Sequence, residues 1–461
     1  MDVPRIMLSA RKRFARAVAL AAVFVLLAGG ASALANTVWH VDKTSSTNCS
    51  NTPPVVTTCN TIQSAVGATS LYDVVVVAPG YYNETVYISQ GFISILGAQA
   101  GRDARQDRHN SANESIVDAS GTPPGSGYGA AFLIFAANNV TIDGFTIQGG
   151  GVVETGSPGT DASGIYVNSG GSARILNNII QGNAVGLFLN SNAYNLVEHN
   201  RFESNNAGKG GASTAPFYLM AGFGIVGVDL GATAITENEF RGNMAAALVL
   251  QSAQGTEVTK NTSEKDGSLA VIFGGGSNYV SHNRGRDFAP KLPLPSTLTV
   301  SSSQPAGAAI DVGSGGTGQK IEDNDLQEGK TPNYNGIAFG VVLTPGPCTY
   351  CPLSNNRIEG FAGNGIVAAA GTLQVSSISG NHVKDNGTDG ILIEEGSSNT
   401  MNSLLDNKTE NNSTNDCEDD TYLIEPGQSG TAGTRNTWFH NLGSSSDPPG
   451  LCSPATGHPY E

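Results

Sequence analysis

The sequence predicts an all-β fold, a single-stranded right-handed parallel β-helix of about 11–13 coils, and three observations support this prediction. A short phrase, made of an aliphatic residue, two further residues and asparagine, recurs between residues 140 and 441. A second phrase of the form Gly-Ile-x-Val lies between many of its copies. The composition agrees, because 59 of the 461 residues are glycine and only 14% are charged, which disfavours an all-helical protein.

The shortest spacing between copies gives the length of one coil. Asn178 and Asn200 are 22 residues apart, as are Asn261 and Asn283. Apolar residues alternate within each copy, which is the period of a β-strand. Each coil is therefore predicted to contain three short strands and three turns, with the aliphatic residues stacked inside. Asparagine suits a repeated turn because it tolerates the left-handed conformation and its amide can bond to the next copy.

The first 35 residues are predicted to be a secretory signal peptide. Four basic residues between positions 11 and 16 precede an apolar run from Ala17 to Ala28, and small residues suited to cleavage follow. Removal of five basic residues and one acidic residue changes the formal net charge from −15 to −19. We expect a secreted or periplasmic protein without a membrane span after the leader. The alternative is an N-terminal membrane anchor.

The repeats resemble those of the pectin-lyase-like right-handed β-helix superfamily, and their short asparagine-rich coils are most similar to its NosD-type repeats. The resemblance covers nearly the whole chain after the leader. It implies a capping helix at residues 60–66 and a first coil from Asp73 to Glu84. We divide the chain into a signal peptide (1–35), an N-terminal cap with the first coils (36–136), the repeats (137–415), and the last coil with a C-terminal cap (416–461).

The six cysteines fit an oxidising compartment. Six cysteines allow 15 pairings, and proximity in the sequence favours three local ones. The expected pairs are Cys49 with Cys59, Cys348 with Cys351, and Cys417 with Cys452. The third would close the C-terminal cap over an exposed sheet edge. The second pair could instead be a redox or metal motif.

The resemblance implies a protein that binds or processes an extracellular polysaccharide, and an enzyme of this kind would be a polysaccharide lyase or a glycoside hydrolase. Two alternatives remain open: a non-catalytic structural or adhesive protein of the cell surface, and a NosD-like periplasmic accessory protein. The superfamily hosts many activities, and the sequence lacks the signatures of polygalacturonases, mannuronan epimerases and pectate lyases. The negative charge disfavours nucleic acid and unbridged acidic glycans as partners. We expect a monomer.

Ionisable residues recur at fixed distances from the repeated asparagine. The residues one position after the asparagine are Arg201, Glu239, Thr262, Arg284, Asp325 and Arg357. The residues three positions after the asparagine are Glu203, Arg241, Glu264, Arg286, Gln327 and Glu359. Their signs mostly alternate, which favours a structural face of ion pairs. The residues one position before the asparagine are suited either to acid–base chemistry or to a solvated turn. They are His199, Glu237, Lys260, His282 and Asp323.

A candidate substrate groove follows from four insertions, at residues 151–161, 208–221, 287–308 and 328–335. Each precedes a Gly-Ile-x-Val-type strand, so the insertions are expected to emerge on one side and to border that strand face. The predicted substrate-binding residues there are Tyr166, Phe188, Tyr218 and Glu394. Asp229 and Asp311 are the predicted catalytic carboxyl pair. The alternative is that these are ordinary exposed side chains.

A calcium site is one interpretation of the acidic cluster near the C-terminal cap, which consists of Asp416, Glu418, Asp419 and Asp420. A solvated acidic turn is the other. No further metal or cofactor is expected, because the seven histidines and five methionines form no dense cluster that would favour copper.

Overall fold

Three parallel β-sheets run side by side along the chain and together form a β-helix. The structure is a computed structural model that describes residues 36–53, 55–106, 108, 110–120, 129–151, 163–191, 193–206, 222–288, 307–313, 315–329, 331–340, 347–421 and 430–454. The predicted signal peptide lies outside these residues. Strands within the described ranges make up twelve complete coils, each of which contributes one strand to each sheet. The predicted all-β fold and the number of coils are therefore confirmed.

The strands of each sheet follow one another in space as follows. Sheet 1 contains Thr58–Cys59, Val38–Val41, Val74–Val77, Ser94–Leu96, Val140–Asp143, Ala173–Leu176, Leu196–Glu198, Ala234–Thr236, Glu257–Thr259, Tyr279–Ser281, Lys320–Glu322, Leu353–Ser354, Ser377–Ser379, Ser403–Leu405 and Thr437–Phe439. Sheet 2 contains Gly80–Tyr82, Ser115–Asp118, Phe145–Gln148, Ile179–Gln181, Arg201–Glu203, Glu239–Arg241, Thr262–Glu264, Arg284–Phe288, Asp325–Gly329, Arg357–Phe361, His382–Lys384 and Lys408–Glu410. Sheet 3 contains Val86–Ile88, Phe132–Phe135, Ser163–Asn168, Val185–Asn190, Phe223–Val228, Ala246–Gln251, Ala270–Phe273, Ala308–Gly313, Asn335–Gly340, Ile366–Ala368, Ile391–Ile393, Cys417–Asp419 and Ser446–Asp447. Cys348–Thr349 and Leu373–Gln374 form a separate pair.

The core is a stack of apolar side chains in which each coil repeats the position of the coil before it. On sheet 1 the strand register aligns Ile142, Ile175, Val197, Ile235 and Val258, all of which are buried. Trp39 begins this column and Trp438 ends it, each with at most 4% of its surface exposed. Alternation along short strands therefore directs one aliphatic residue per strand inward, as the repeated phrase predicts.

A ladder of buried asparagines connects the coils at the turn between sheets 1 and 2. In each rung the backbone N–H and the side-chain amide of one asparagine donate to the Oδ1 atom of the asparagine in the next coil. Asn238 donates in this way to Asn261 over 2.9 and 3.1 Å, and Asn261 donates to Asn283 over 2.9 and 3.0 Å. The ladder contains Asn178, Asn200, Asn238, Asn261, Asn283, Asn324, Asn356, Asn381, Asn407 and Asn441. The recurrent asparagine is thus the hydrogen-bonding partner of otherwise orphaned turn amides.

A second ladder at the turn after sheet 2 is interrupted by aromatic rings. Asn183, Asn205 and Asn243 continue into Asp266, whose Oδ1 atom accepts both donors of Asn243. The next coils contain instead Phe288, Tyr334 and Phe361, whose ring centroids lie 6.2 to 6.3 Å apart. Gly285 makes room for Phe288, since a Cβ atom there would lie 2.2 Å from that ring. Tyr334, which directly precedes the strand Asn335–Gly340, is fully buried and packs against both other rings.

A single α-helix among the described residues, α1 (Ile62–Ala68), covers the N-terminal end, two residues later than predicted. Thr61 is its N-cap, because its side chain accepts from the backbone N–H of Ser64. The carboxylate of Glu84 accepts from the backbone N–H groups of Ile62 and Gln63, both over 2.9 Å. No helix in the described ranges is long and apolar enough to cross a membrane.

Replacement Glu84→Gln is expected to lower the free energy of unfolding by about 1 kcal/mol, because the amide offers one acceptor to two backbone N–H groups and turns its own NH2 group toward the other. Burial raises the pKa of Glu84, so the loss of its charge offsets part of this cost. Equilibrium unfolding in urea measures this loss. Glu395→Gln, which changes an exposed residue, is the matched control and should have no measurable effect. Equal stability of the two variants would contradict the capping role of Glu84.

Two of the three predicted disulfides are formed, Cys49–Cys59 and Cys348–Cys351. Cys417 and Cys452 are free thiols, so the predicted bond across the C-terminal cap is absent. Burial and the neighbouring Cys452 thiol raise the pKa of the Cys417 thiol. The two sulfur atoms have therefore been brought together by the last coils, as proximity in the sequence suggested, but they are not bonded.

Candidate functional site

The outer face of sheet 2 carries two parallel columns of polar side chains. The register aligns the two sets of residues that follow the repeated asparagine, so both predicted columns are confirmed. Ion pairs connect neighbouring coils, for example Arg201 with Glu239 at 3.1 Å and Lys384 with Glu359 at 2.7 Å. Most of this face is therefore a structural network of opposite charges, each pair contributing about 0.2–1 kcal/mol.

A strap crosses the N-terminal part of this face. It consists of residues 97–106, 108 and 110–114, between the strands that end at Leu96 and begin at Ser115. Arg108 and Glu114 form a buried ion pair inside it, and Arg108 also donates to the carbonyl oxygen of Asn177 over 2.5 Å. A buried pair with both partners hydrogen-bonded holds the strap in one position.

The strap covers the first column, which lies one residue after the repeated asparagine, and leaves open the second column, which lies three residues after it. Thr146 donates to Glu114 over 3.0 Å, and Arg201 donates to the carbonyl oxygen of Arg105 over 3.3 Å. Ile179, which lies between them on the outer face, is 5% exposed. The second column of the same coils is consequently bordered by the strap on one side.

The open part of the second column forms a cavity of about 470 Å³, which we call the first cavity. Its lining residues are Asp118, Ser120, Gln148, Gly149, Gln181, Gly182, Glu203 and Ser204. Asp118, Gln148, Gln181 and Glu203 lie on four consecutive strands, so the first and last are about 14 Å apart along the axis. The sequence pattern that located the column could have pointed to Gln181, but it gave no signal for Asp118.

A chain of hydrogen bonds orders the polar groups of the first cavity. The hydroxyl of Tyr81 donates to Asp118, Gln148 donates to the same carboxylate over 2.8 Å, and Gln181 donates to Gln148 over 3.3 Å. Burial raises the pKa of Asp118, but hydrogen bonds from Ser120, Tyr81 and Gln148 outweigh it and lower this pKa to about 2. Asp118 is therefore ionised at all physiological pH values.

A second cavity of about 340 Å³ lies further along the same face. It is lined by Glu239, Phe240, Thr262, Ser263, Glu264, Arg284, Arg286 and Asp287. Charges of both signs face each other here, and Arg284 lies 3.5 Å from Asp325. This cavity belongs to the ion-pair network.

The ionisable column before the repeated asparagine lies in a solvated turn. His199, Glu237, Lys260, His282 and Asp323 all have left-handed backbone conformations, with φ between 54° and 58°. His199 lies 3.2 Å and Lys260 3.4 Å from Glu237. Burial raises the pKa of Glu237, but the hydrogen bonds from these two residues outweigh it and lower its pKa. The contacts agree with ion pairs along a turn.

The outer face of sheet 3, where the groove was predicted, is apolar and buried from Leu133 to Val271. Tyr166 and Phe188 lie on this face in register, with ring centroids 5.2 Å apart, and are 4% and 3% exposed. The column continues through Val226, Val249 and Val271. The substrate-binding roles of Tyr166 and Phe188 remain predictions, and their burial does not favour direct contact with a glycan. Tyr218 lies outside the described residues.

Asp229 and Asp311 are too far apart in the register to act as a hydrolase pair. Asp229 follows the strand of Val226, and three strand spacings, or about 14 Å, separate that strand from Asp311. Paired carboxyl groups of glycosidases lie about 5–9.5 Å apart. Asp229 is exposed, whereas Asp311 is buried, its Oδ1 atom has no hydrogen-bond partner among the described residues, and burial raises its pKa to about 7.

Acidic residues gather at the C-terminal end of sheet 3. Glu394 is half-buried and accepts from the backbone N–H of Ala370 over 3.1 Å, and burial raises its pKa. Burial and a hydrogen bond to Glu418 raise the pKa of Asp389 to about 7. Asp389 and Glu418 therefore form a hydrogen-bonded carboxyl pair at this end of the sheet.

The predicted calcium cluster does not form a common site. Asp419 points into the core and accepts from the indole nitrogen of Trp438 over 2.8 Å, whereas Asp416 accepts from Ser444 and Asn412. Two of the four proposed ligands are thus engaged in internal hydrogen bonds. Throughout the described ranges, no group of three or more acidic, histidine or cysteine side chains is arranged to hold a metal ion.

Comparison with protein families gives one match. The model of a right-handed beta helix region matches residues 125–284 and 221–441, which is more than half of the chain. It agrees with the repeats in the sequence and with the three sheets. No curated protein matches the chain.

Several solved structures share the fold. The chain is similar to the catalytic unit of a thermostable GH87 alpha-1,3-glucanase from Streptomyces thermodiastaticus strain HF3-3, with 14% identity and a TM-score of 0.52 over 85% of this chain. It spans only 63% of the length of that structure. It is also similar to a catalytic domain of GH87 alpha-1,3-glucanase in complex with nigerose, with 13% identity and a TM-score of 0.54 over 89% of this chain and 70% of the other. At these identities the likeness establishes the fold alone.

Proposed function

Because the chain belongs to the right-handed β-helix family, we propose that it is a secreted protein that binds an extracellular polysaccharide in the first cavity. The observation that carries this proposal is the column of Asp118, Gln148, Gln181 and Glu203, which presents carboxylate and amide groups at each strand spacing along an open cavity. A polymer of hydroxylated rings lying along the rod would meet an equivalent polar group at every coil.

The bordering strap and the hydrogen-bonded amides support the proposal further. Binding sites are concave, largely pre-formed and furnished with a few fixed polar groups. The buried ion pair of Arg108 and Glu114 fixes one border, and Asp118 fixes the orientation of Gln148. Binding would therefore need little ordering of this face, which favours affinity.

Binding is tested by screening the full-length protein against a glycan array and by calorimetry on the polymers that bind. The double variant Gln148→Ala/Gln181→Ala is expected to bind about tenfold more weakly, because two hydrogen-bonding amides are lost. Gln327→Ala is the matched control, since Gln327 lies in the same column but outside the first cavity, and should bind like the wild type. Unchanged binding by the double variant would place the site elsewhere.

Processing of the bound polymer is a separate question that the same screen addresses. Assays for new reducing ends and for unsaturated products on each bound glycan distinguish a hydrolase, a lyase and a binding protein. Binding without either product supports the alternative of a non-catalytic structural or adhesive protein at the cell surface. If products form, Asp311 and Asp389 are the first residues to replace, because burial raises the pKa of each to about 7, which suits proton transfer.

A further inference from the structure

We infer that the first cavity takes an uncharged polysaccharide and that Glu203 is the residue that excludes acidic chains. The inference rests on the proposed function and names the class of glycan that the same cavity recognises. It follows from which polar groups of the cavity are already occupied, which remain available, and where the neighbouring cations are held.

Asp118 organises the cavity and has little capacity left for a ligand. Its Oδ1 atom accepts from the backbone N–H of Ser120 over 2.8 Å. Its Oδ2 atom accepts from both Tyr81 and Gln148. A carboxylate with three donors in place acts on the ligand through the side chains that it orients.

The amide chain leaves both donors and acceptors facing the cavity. Gln148 uses one N–H on Asp118, and its Oε1 atom accepts from Gln181, so Gln181 retains a second N–H for a ligand. The Oε1 atom of Gln181 and the carboxylate of Glu203 accept no hydrogen bond from any described residue. A sugar hydroxyl group both donates and accepts hydrogen bonds, so an uncharged sugar ring can bond to the available donors and acceptors of the first cavity.

The described arginine and lysine side chains near the first cavity are already paired with other groups. Arg201 and Arg241, which flank Glu203, both pair with Glu239, at 3.1 and 2.6 Å. Lys43, near Tyr81, donates to the carbonyl oxygen of that residue. Among the described residues that line the first cavity, none is an arginine or a lysine. A sugar carboxylate would therefore meet Glu203 without a counter-charge, and like charges in contact oppose binding.

The test compares neutral glucans and fructans, polygalacturonate and chitosan on the wild-type protein at low and high salt. The neutral polymer that binds best is expected to bind at least about tenfold more tightly than polygalacturonate at low salt. High salt should narrow this difference, because it screens the charge of Glu203. Chitosan, whose ammonium groups Glu203 attracts, should lose affinity at high salt, whereas the neutral polymer should not.

Glu203→Gln identifies the residue responsible. Its readout is the ratio of the affinity for polygalacturonate to the affinity for the neutral polymer, which is expected to rise about tenfold, because the amide removes the negative charge and keeps one acceptor oxygen. Glu257→Gln is the matched control, because it removes the same charge from an exposed site on sheet 1 and should leave the ratio of affinities unchanged.

Each outcome bears on one claim. Failure of the wild type to bind any glycan would overturn the proposed function and this inference with it. Binding of polygalacturonate at low salt, or of chitosan at high salt, as tightly as the neutral polymer would overturn the inference and leave polysaccharide binding standing. An unchanged ratio in Glu203→Gln would likewise overturn the role assigned to Glu203.

Discussion

Asn261→Ala is expected to lower the free energy of unfolding by about 3–5 kcal/mol, because the substitution leaves buried polar groups without partners. The backbone N–H of Asn238 loses its acceptor, which lies 2.9 Å away in the native ladder. The carbonyl oxygen of Ile235 loses its donor, also at 2.9 Å. Both groups lie inside the β-helix, where water does not reach them. Neither group can therefore form a replacement hydrogen bond with water, and the full cost of its desolvation remains.

Urea unfolding followed by circular dichroism measures this loss. Asn411→Gly is the matched control, since Asn411 is an exposed turn residue with φ of 57° and glycine adopts that conformation without strain. The control should change stability by less than about 0.5 kcal/mol. A loss below about 1 kcal/mol for Asn261→Ala would show that the ladder is dispensable for stability.

Asp266→Asn is expected to stabilise the protein at pH 8, by up to about 4 kcal/mol, and to have little effect at pH 4. Asp266 occupies a position that Asn183, Asn205 and Asn243 occupy in the preceding coils, and it is fully buried. Burial raises its pKa to about 7, although hydrogen bonds from Ser263 and Asn243 lower it. Asparagine would accept from Asn243 in the same way and would never become charged.

The sign of the pH dependence follows from this raised pKa. Between pH 4 and pH 7 the folded protein holds a proton on Asp266 that the unfolded chain has released, so stability falls as the pH rises through 7. Asp311, whose pKa is also raised to about 7, acts in the same direction. Asp118, whose pKa is lowered to about 2, acts in the opposite direction and lowers stability only in strong acid. The wild-type protein is therefore expected to be most stable at mildly acidic pH.

Unfolding free energies of wild type and Asp266→Asn across pH 4–8 test this expectation. The variant should show a flatter profile than the wild type. Asp406→Asn, at an exposed turn with φ of 52°, is the matched control and should reproduce the wild-type profile. Parallel profiles for wild type and Asp266→Asn would mean that Asp266 is ionised in the folded state.

The fold could be predicted from the sequence because its determinants repeat at short range. Alternation identified the inward residues of each strand, and the spacing of asparagines such as Asn178 and Asn200 gave the coil length. The same spacing placed Arg201 and Glu239 in one column, which the register confirms. Cys49–Cys59 and Cys348–Cys351 followed from proximity, because a short loop brings their ends together.

The candidate site could be predicted only in part, because alternation tells which face a side chain occupies and not what covers that face. Tyr166 and Phe188 lie on the outer side of sheet 3, as expected, yet they are buried. Tyr334 packs in the core against Phe288 and Phe361, which belong to the coils before and after it, and Gly329 leaves room for its ring.

By itself the sequence determined the all-β class, the coil, the asparagine turn and the charged columns, since each depends on residues within about one coil of one another. Only the tertiary structure decided that the strap covers one column and leaves Asp118, Gln148, Gln181 and Glu203 open. It also separated Asp229 from Asp311 and assigned Asp419 to the core. The physical reason is that cavities and burial arise from contacts between segments far apart in the chain, which a local period does not encode.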